Sequence, residues 1–331
     1  MANAMFWDVV RLAIVLLGSG ALLFALTTVG MAFALLRPPR MTDGKATYFL
    51  KRLSPQDLEL SYESIPFKVR DQWTGKPLRM AGWWIPAAEP SEKCVIVLHG
   101  YTDAKIGGIA WAPLLRSMGF NVLAIDLRAH GQSQGMFTTA GYYERHDVSQ
   151  VIDQIKASYP DQTRRIVLFG ASLGCAVAGA TALLRKDIAA VVMESPYRDF
   201  PSAVLSHADN LGVPGRIFQR AAIAIGRRMT GADFSEVAPI NVIGKIRCPL
   251  YVVQSGEDPF VPPDQQAQIA AAVEGRASDL GISRIWMAEG CFHITSMGQR
   301  PDEFRRRLAD FLSEALLDQP ARTREKEVCP P

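Results

Sequence analysis

Eight short runs of strand-forming residues, separated by stretches with helical periodicity, constrain the fold of this chain more than any other feature. Most of the later runs are continuous in Val, Ile and Leu, as in CVIVLHG at 94–100. Such runs are typical of strands covered on both faces. The pattern predicts an α/β fold: a mostly parallel sheet of about eight strands with helices on both faces. The predicted strands lie at 60–69, 79–86, 94–100, 121–126, 165–170, 189–194, 250–256 and 283–289.

The stretches between the runs carry helix signals in three places. Apolar residues recur at i, i+3, i+4 and i+7 between 140 and 158, an alanine-rich stretch covers 173–185, and a last apolar face lies within 301–317. More than fifty residues separate the strands at 189–194 and 250–256, which is too many for a simple crossover. We expect an insertion at about 197–247 that forms a small helical lid over the carboxyl ends of the strands.

The first forty residues differ from the rest. Residues 12–36 carry no charge, and as a helix they would span roughly 37 Å, enough to cross a hydrocarbon core of about 30 Å. A cleaved signal peptide is the alternative, because Ala32-Phe33-Ala34 resembles a cleavage site. The run is longer than a signal core usually is, so a membrane anchor is favoured. We therefore predict an anchor at 1–40, an α/β domain at 41–318 and a disordered tail at 319–331.

Basic residues predict the orientation of this anchor. Only Arg11 and the amino terminus precede the span, whereas five basic residues follow it. By the positive-inside rule, the domain is expected on the cytoplasmic side. The basic residues that follow are Arg37, Arg40, Lys45, Lys51 and Arg52.

Charge and cysteine content narrow the function further. A formal net charge of +3 is too small for a chain of 331 residues to indicate nucleic-acid binding. The five cysteines form no CxxC pair and do not cluster with histidine, so neither a zinc site nor a disulfide framework is indicated. We expect no cofactor, no metal and no obligate protein partner.

The motif GASLG at 170–174 marks a candidate nucleophile. Ser172 follows a predicted strand and begins a predicted helix, so the turn between them must be very tight. Gly170 and Gly174 leave space where side chains would collide with neighbouring backbone. This arrangement would hold the Ser172 hydroxyl above the sheet edge, at the amino terminus of the helix.

A serine hydroxyl needs a base, and that base must itself be oriented. In sheets of this kind the chain order is nucleophile, acid, histidine, and only His207 and His293 follow Ser172. His207 falls in the insertion and is interpreted as a surface residue. His293 lies in the loop after the last predicted strand and is the predicted base.

The acid is expected after the penultimate strand. There the segment QSGEDPFVPP offers Asp258, which begins a turn, with Glu257 as the alternative. An oxyanion hole would use two main-chain N–H groups, predicted from Tyr101 after the strand at 94–100 and from Leu173 beside the nucleophile. His99 is then a scaffold residue that braces the loop. His130, which precedes the serine, is a structural residue.

These motifs together resemble the α/β-hydrolase superfamily, and within it the membrane-anchored, serine-aminopeptidase-like (Bem46-like) branch. The resemblance covers about 60 to 318 and rests on His-Gly at 99–100, DLRAHGQS at 126–133, GASLG, the DPFVP turn and His293. One departure is that the family commonly has His-Gly before its acid turn, where this chain has Gln254-Ser255.

The resemblance implies a serine hydrolase that cleaves an ester, thioester or amide through an acyl-enzyme. A carboxylesterase or lipase-like activity on a small-molecule or lipid-like acyl substrate is favoured, because the insertion is rich in arginine and the anchor places the domain at a membrane. Aminopeptidase-like amide hydrolysis is one alternative. The other is a membrane-anchored binding protein of the same fold without catalysis.

Overall fold

The computed structural model describes residues 2–210, 212 and 215–317, and a single eight-stranded sheet forms its centre. The strand order is β1-β2-β4-β3-β5-β6-β7-β8. β2 pairs antiparallel with β1 and β4, and all other neighbours are parallel. The predicted α/β class with about eight mostly parallel strands is confirmed. The strands are β1 Glu63–Arg70, β2 Pro77–Ile85, β3 Lys93–Leu98, β4 Asn121–Ile125, β5 Arg165–Ala171, β6 Ile188–Glu194, β7 Leu250–Ser255 and β8 Ser283–Ala288.

Twelve α-helices, several of them a single turn, are present in the described part of the chain. Helices α5, α6 and α12 correspond to the three helices predicted from periodicity. The helices are α1 Ala2–Leu36, α2 Asp43–Lys45, α3 Lys105–Gly108, α4 Ala112–Ser117, α5 Glu144–Ser158, α6 Leu173–Leu184, α7 Phe200–Asn210, α8 Arg216–Thr230, α9 Pro239–Val242, α10 Pro263–Glu274, α11 Ser296–Gln299 and α12 Pro301–Leu317.

Helix α5 begins later than the predicted residue 140. The carboxylate of Glu144 accepts hydrogen bonds from the main-chain N–H groups of Thr139 (2.7 Å) and Gly141 (3.1 Å). These bonds hold residues 139–141 in a turn ahead of the helix. Glu144 therefore acts at the helix amino terminus, where a carboxylate is favoured.

The sheet is buried on both faces, as the uninterrupted apolar runs predict. In β3, Cys94, Ile96 and Leu98 join one buried cluster, while Val95 and Val97 join the cluster on the opposite face. Because successive side chains of a strand point to opposite faces, such a strand needs apolar residues at every position.

Helix α1 has two parts with different surroundings. From Met5 to Leu36 it has a mean hydropathy of 2.3 and is long and apolar enough to cross a membrane. Most side chains up to Val29 are exposed, but Thr28, Ala32 and Leu36 are buried against the domain. The last three turns of α1 therefore pack on protein. The tail predicted at 319–331 lies outside the described residues.

The predicted insertion contains three helices of its own. Between β6 and β7 the chain forms α7, α8 and α9. Helix α8 buries Ala222, Ile223 and Gly226 and exposes Arg220, Arg227 and Arg228. This amphipathic helix contacts α1.

Candidate active site

Ser172 occupies the sharp turn between β5 and α6. Its backbone has φ +50° and ψ −109°, a conformation that L residues rarely adopt. The turn is held by the main-chain N–H of Ser172, which donates to the carbonyl of Glu194 (2.9 Å) at the end of β6. Strained backbone of this kind is found mainly where function requires it.

The two glycines of the motif are required by backbone contacts. A β-carbon on Gly170 would overlap the carbonyl oxygen of Gly174, and a β-carbon on Gly174 would overlap the carbonyl oxygen of Leu98. Neither obstacle can move without displacing a strand or a helix. The glycine spacing in the sequence is therefore a mechanical requirement of the turn that presents Ser172.

His293 and Asp258 are brought together by the loops after β8 and β7. Nδ1 of His293 lies 2.6 Å from Oδ2 of Asp258. The other carboxylate oxygen of Asp258 accepts from the N–H groups of Phe260 (2.8 Å) and Val261 (3.1 Å). Asp258 is buried, whereas Glu257, the alternative acid, is exposed. Because Nδ1 of His293 contacts the carboxylate of Asp258, Nε2 is the ring nitrogen that is not bound to Asp258.

The nucleophile turn, the histidine loop and the loop after β3 meet at Gly100. A β-carbon built on Gly100 would lie 3.6 Å from Cβ of Ser172 and 3.6 Å from Cδ1 of Ile294, the residue after His293. The turn that carries Ser172 and the loop that carries His293 therefore lie next to each other at the carboxyl edge of the sheet, where open α/β sheets place their sites.

The loop after β3 is braced by His99, as the sequence predicts. Nδ1 of His99 lies 2.7 Å from the carbonyl of Gly100, and Nε2 accepts the N–H of Leu127 (3.0 Å). Complete burial lowers the pKa of His99 to about 3, so the ring stays neutral. Tyr101 follows directly, and Leu173 is the first residue of α6, where a main-chain N–H has no partner within the helix.

Asp126 fixes the next part of this loop. Its carboxylate accepts from the N–H of Lys105 (2.7 Å) and of Gln132 (2.9 Å), and Nζ of Lys105 also binds it (2.7 Å). The DLRAHGQS turn is therefore tied to the chain just beyond Tyr101. This ion pair is buried, so removing one partner would leave an uncompensated charge.

The remaining histidines near the site have other roles. His130 is buried and its Nδ1 lies 2.8 Å from the carbonyl of Arg128, and burial lowers the pKa of its ring. His207 is exposed on α7, with its ring centroid 4.9 Å from that of Phe260. Phe260 in turn contacts His293, with 5.1 Å between centroids. His207 therefore lines the approach to the site without contacting Asp258.

Sequence reasoning missed a pair of serines behind the histidine loop. Oγ of Ser195 accepts the N–H of Ile294 (3.1 Å) and lies 3.0 Å from Oγ of Ser255. Ser195 and Ile294 both have positive φ, +53° and +58°. Ser255 is one of the two residues, with Gln254, that depart from the family pattern, so the available signal was a hydroxyl where glycine is common.

Ser195→Ala is expected to lower kcat of ester hydrolysis about fivefold with little change in KM. The lost hydrogen bond contributes about 1 kcal/mol to holding the loop that carries His293, and about 1.4 kcal/mol corresponds to a factor of ten in rate. Steady-state kinetics on a soluble ester measures the effect. Ser255→Ala is the matched control, because it leaves the acceptor for Ile294 in place and should change kcat less than threefold. Equal losses in both variants would contradict this role of Ser195.

No cluster of three or more His, Cys, Asp or Glu side chains suited to a metal ion occurs among residues 2–210, 212 and 215–317. Cys94, Cys175, Cys248 and Cys291 are free and buried, and Cys329 lies outside the described residues.

Comparisons with known proteins agree with this fold and motif set. Residues 89–235 match the family described as serine aminopeptidase, S33. The uncharacterized protein YqkD of Bacillus subtilis is 24% identical over 318 residues, which cover 90% of this chain and 96% of that protein. The lysophosphatidylserine lipase ABHD12 of Xenopus tropicalis is 26% identical over 219 residues, 61% of this chain but only 51% of the lipase.

Solved structures share the architecture. The esterase Pf2001 of Pyrococcus furiosus superposes with a TM-score of 0.65 at 24% identity, covering 83% of this chain and 98% of that chain. At this identity the structural similarity establishes the fold alone. The sequence matches indicate that the chain is related to the proteins named above. Together the fold and the sequence matches support an α/β hydrolase of the Bem46-like type, with the match to the serine aminopeptidase, S33 family at residues 89–235.

Proposed function

We propose that the chain is a serine hydrolase that cleaves carboxylic esters through an acyl-enzyme, with Ser172 as nucleophile, His293 as base and Asp258 as the orienting acid. The observation that carries the proposal is the 2.6 Å contact between His293 and Asp258, in loops that meet the strained turn of Ser172. The proposal is supported by the chain order of the three residues and by the contact between His293 and Asp258.

The reaction follows from these positions. Oγ of Ser172 attacks the ester carbonyl while Nε2 of His293 takes the hydroxyl proton. The N–H groups of Tyr101 and Leu173 stabilise the resulting oxyanion. The tetrahedral intermediate collapses, the C–O bond to the alcohol breaks, and His293 returns its proton to the leaving oxygen. Water then attacks the acyl-enzyme with His293 as base, which releases the carboxylic acid and regenerates Ser172.

Pairing of the acidic residues in the insertion favours esters over aminopeptidase substrates. An aminopeptidase would need a carboxylate to hold the substrate amine. All four acidic side chains at 197–247 form ion pairs with arginine: Asp199 with Arg198 (2.6 Å), Asp209 with Arg216 (2.6 Å), Asp233 with Arg227 (3.1 Å) and Glu236 with Arg145 (2.8 Å).

The names of the relatives point the same way. One relative is a lysophosphatidylserine lipase and one structural neighbour is an esterase. Together with the apolar helix α1, these names favour a substrate that carries an acyl chain. We propose a lipid-like ester as the substrate class.

The test uses the full-length chain in a purified membrane fraction with acyl esters of graded chain length. Hydrolysis is expected to increase from acetyl to octanoyl and longer esters. Aminoacyl anilides should be hydrolysed at least a hundredfold more slowly than the best ester. Faster cleavage of the anilides would establish the aminopeptidase alternative, and no turnover of any ester would favour the binding protein.

A further inference from the structure

Helix α1 runs alongside the lid helix α8 over several turns. The rings of Phe24 and Phe218 lie 4.7 Å apart, and a β-carbon on Gly226 would lie 3.4 Å from Cδ1 of Leu36. Both helices progress in the same direction between these two contacts. Leu36 and Ile223 also belong to the same buried cluster as the hydrolase core. The end of α1 is therefore built into the catalytic domain.

This packing gives the apolar face of α8 a specific partner. The sequence of 215–228 predicts a basic amphipathic helix whose apolar face either rests on a bilayer or closes the pocket. In the structure α1 lies against Phe218 and Gly226 of that helix. The arginines and Ile217, which is 66% exposed, are left on the outside.

The length of α1 fixes the level of α8 relative to a membrane. A crossing that begins at Leu12, after the last charge, needs about 20 residues and ends near Met31. The contacts with α8 reach back to Phe24, seven residues earlier, which is about 10 Å along the helix. The first turns of α8 are then held about 10 Å below the edge of the hydrocarbon core, which is the depth that the apolar face of an interfacial helix reaches.

We propose that the first two turns of α8, Arg216–Ala222, lie in the interfacial layer of the bilayer, carried there by α1. Their chemistry suits this position, because Ile217 and Phe218 offer apolar area while Arg216 and Arg220 can reach lipid phosphates. Arg216 is also neutralised by Asp209 at 2.6 Å. The burial of Thr28 and Ala32 supports retention of the helix over cleavage after Ala34, since cleavage would uncover α8.

The same end of α1 contacts the candidate active site. The hydroxyl of Tyr101 donates to the carbonyl of Leu35 (2.9 Å). The guanidinium of Arg40 donates to the carbonyls of Gly131 (2.7 Å) and Gly135 (3.2 Å) in the adjoining turn. The oxyanion loop therefore lies next to the bilayer surface. This inference rests on the proposed function: the substrate is an amphiphile whose ester group lies at that surface.

The experiment measures depth in full-length protein reconstituted into vesicles of phosphatidylcholine and phosphatidylglycerol. Ile217→Cys is made with Cys329→Ser and labelled with an environment-sensitive fluorophore, because the other cysteines are buried. The label is then quenched by lipids that carry a nitroxide near the headgroup. Asp161→Cys is the matched control, since this exposed residue precedes β5 at the opposite edge of the sheet.

Quenching at position 217 is expected to be at least threefold stronger than at position 161. Equal and weak quenching at both positions would overturn the proposal. The measurement is repeated with Ser172→Ala, and unchanged quenching there separates the membrane contact from the proposed catalysis, which has its own test.

A second pair of variants tests the role of α1. Gly226→Leu should force α1 from α8, because the new side chain meets Leu36, and quenching at position 217 should fall at least twofold. Ala224→Leu places the same side chain on the exposed face of α8 and should leave quenching unchanged. Unchanged quenching in Gly226→Leu, with intact labelling of Ser172 by a fluorophosphonate, would show that α1 does not carry α8 to the bilayer.

Discussion

Ser172→Ala is expected to abolish covalent labelling by a fluorophosphonate probe and to lower ester hydrolysis about 10⁴-fold or more. The probe needs a hydroxyl activated by a base, and Ser172 is the hydroxyl that the turn between β5 and α6 presents. Labelling of the purified full-length chain, read by gel fluorescence and by mass spectrometry of the modified peptide, measures the loss.

Ser172→Gly serves as the control for folding. Glycine adopts positive φ at little cost, so this variant should lose labelling equally and unfold at the same temperature as Ser172→Ala or higher. Undiminished labelling of either variant would mean that another residue is the nucleophile.

The strained turn also explains why a short sequence motif is enough to predict the strand-to-helix turn at Ser172. Gly170 and Gly174 are needed because the carbonyls of Gly174 and Leu98 occupy the space of their missing β-carbons. Because this requirement is local, it is visible in five consecutive residues of the sequence, GASLG at 170–174. The strands were predictable for a similar reason, because burial on both faces of the sheet demands an uninterrupted apolar run such as that of β3.

Features that depend on contacts between distant segments were not predictable. Ser195 acts through Ile294, about a hundred residues along the chain, and nothing in the segment around Ser195 indicates that bond. The start of α5 depends on a shorter-range bond, from the N–H of Thr139 to the carboxylate of Glu144 five residues later. In both cases a hydrogen bond between a side chain and a main-chain N–H decides what the hydrophobic pattern leaves open.

Helix α1 shows the same limit of sequence reasoning. A charge-free run from 12 to 36 looks uniform, because lipid-facing and protein-facing positions are both apolar. The structure divides it: Leu22 and Leu23 are exposed, while Ala32 and Leu36 are buried against the domain. The division follows from the partner, α8, which lies two hundred residues away.

The basic residues after the span predict a cytoplasmic domain, and in the structure one of them, Arg40, has a second role. Arg40 binds carbonyls of the turn at 130–135, so this charge is part of the folded domain. Burial lowers its pKa, although the Asp126 carboxylate acts against this. The orientation prediction therefore depends more on the exposed residues Arg37, Lys45 and Lys51.

His293→Ala is expected to reduce ester hydrolysis nearly as strongly as loss of the nucleophile, about 10⁴-fold, because the members of a triad act as a unit. Without the imidazole the Ser172 hydroxyl keeps its proton, and Asp258 is left with no ring to orient. The matched control is His130→Ala, which removes a buried ring bound to the carbonyl of Arg128.

That control should lower the unfolding temperature by several degrees, since it leaves a cavity in a packed turn. It should keep turnover per folded molecule within about tenfold of the parent, because the geometry gives His130 no contact with Asp258. Turnover is normalised to the folded fraction measured by circular dichroism. If His130→Ala lowered turnover per folded molecule more than His293→Ala does, the assignment of His293 as the base would be wrong. The 2.6 Å contact between His293 and Asp258 would then need another explanation.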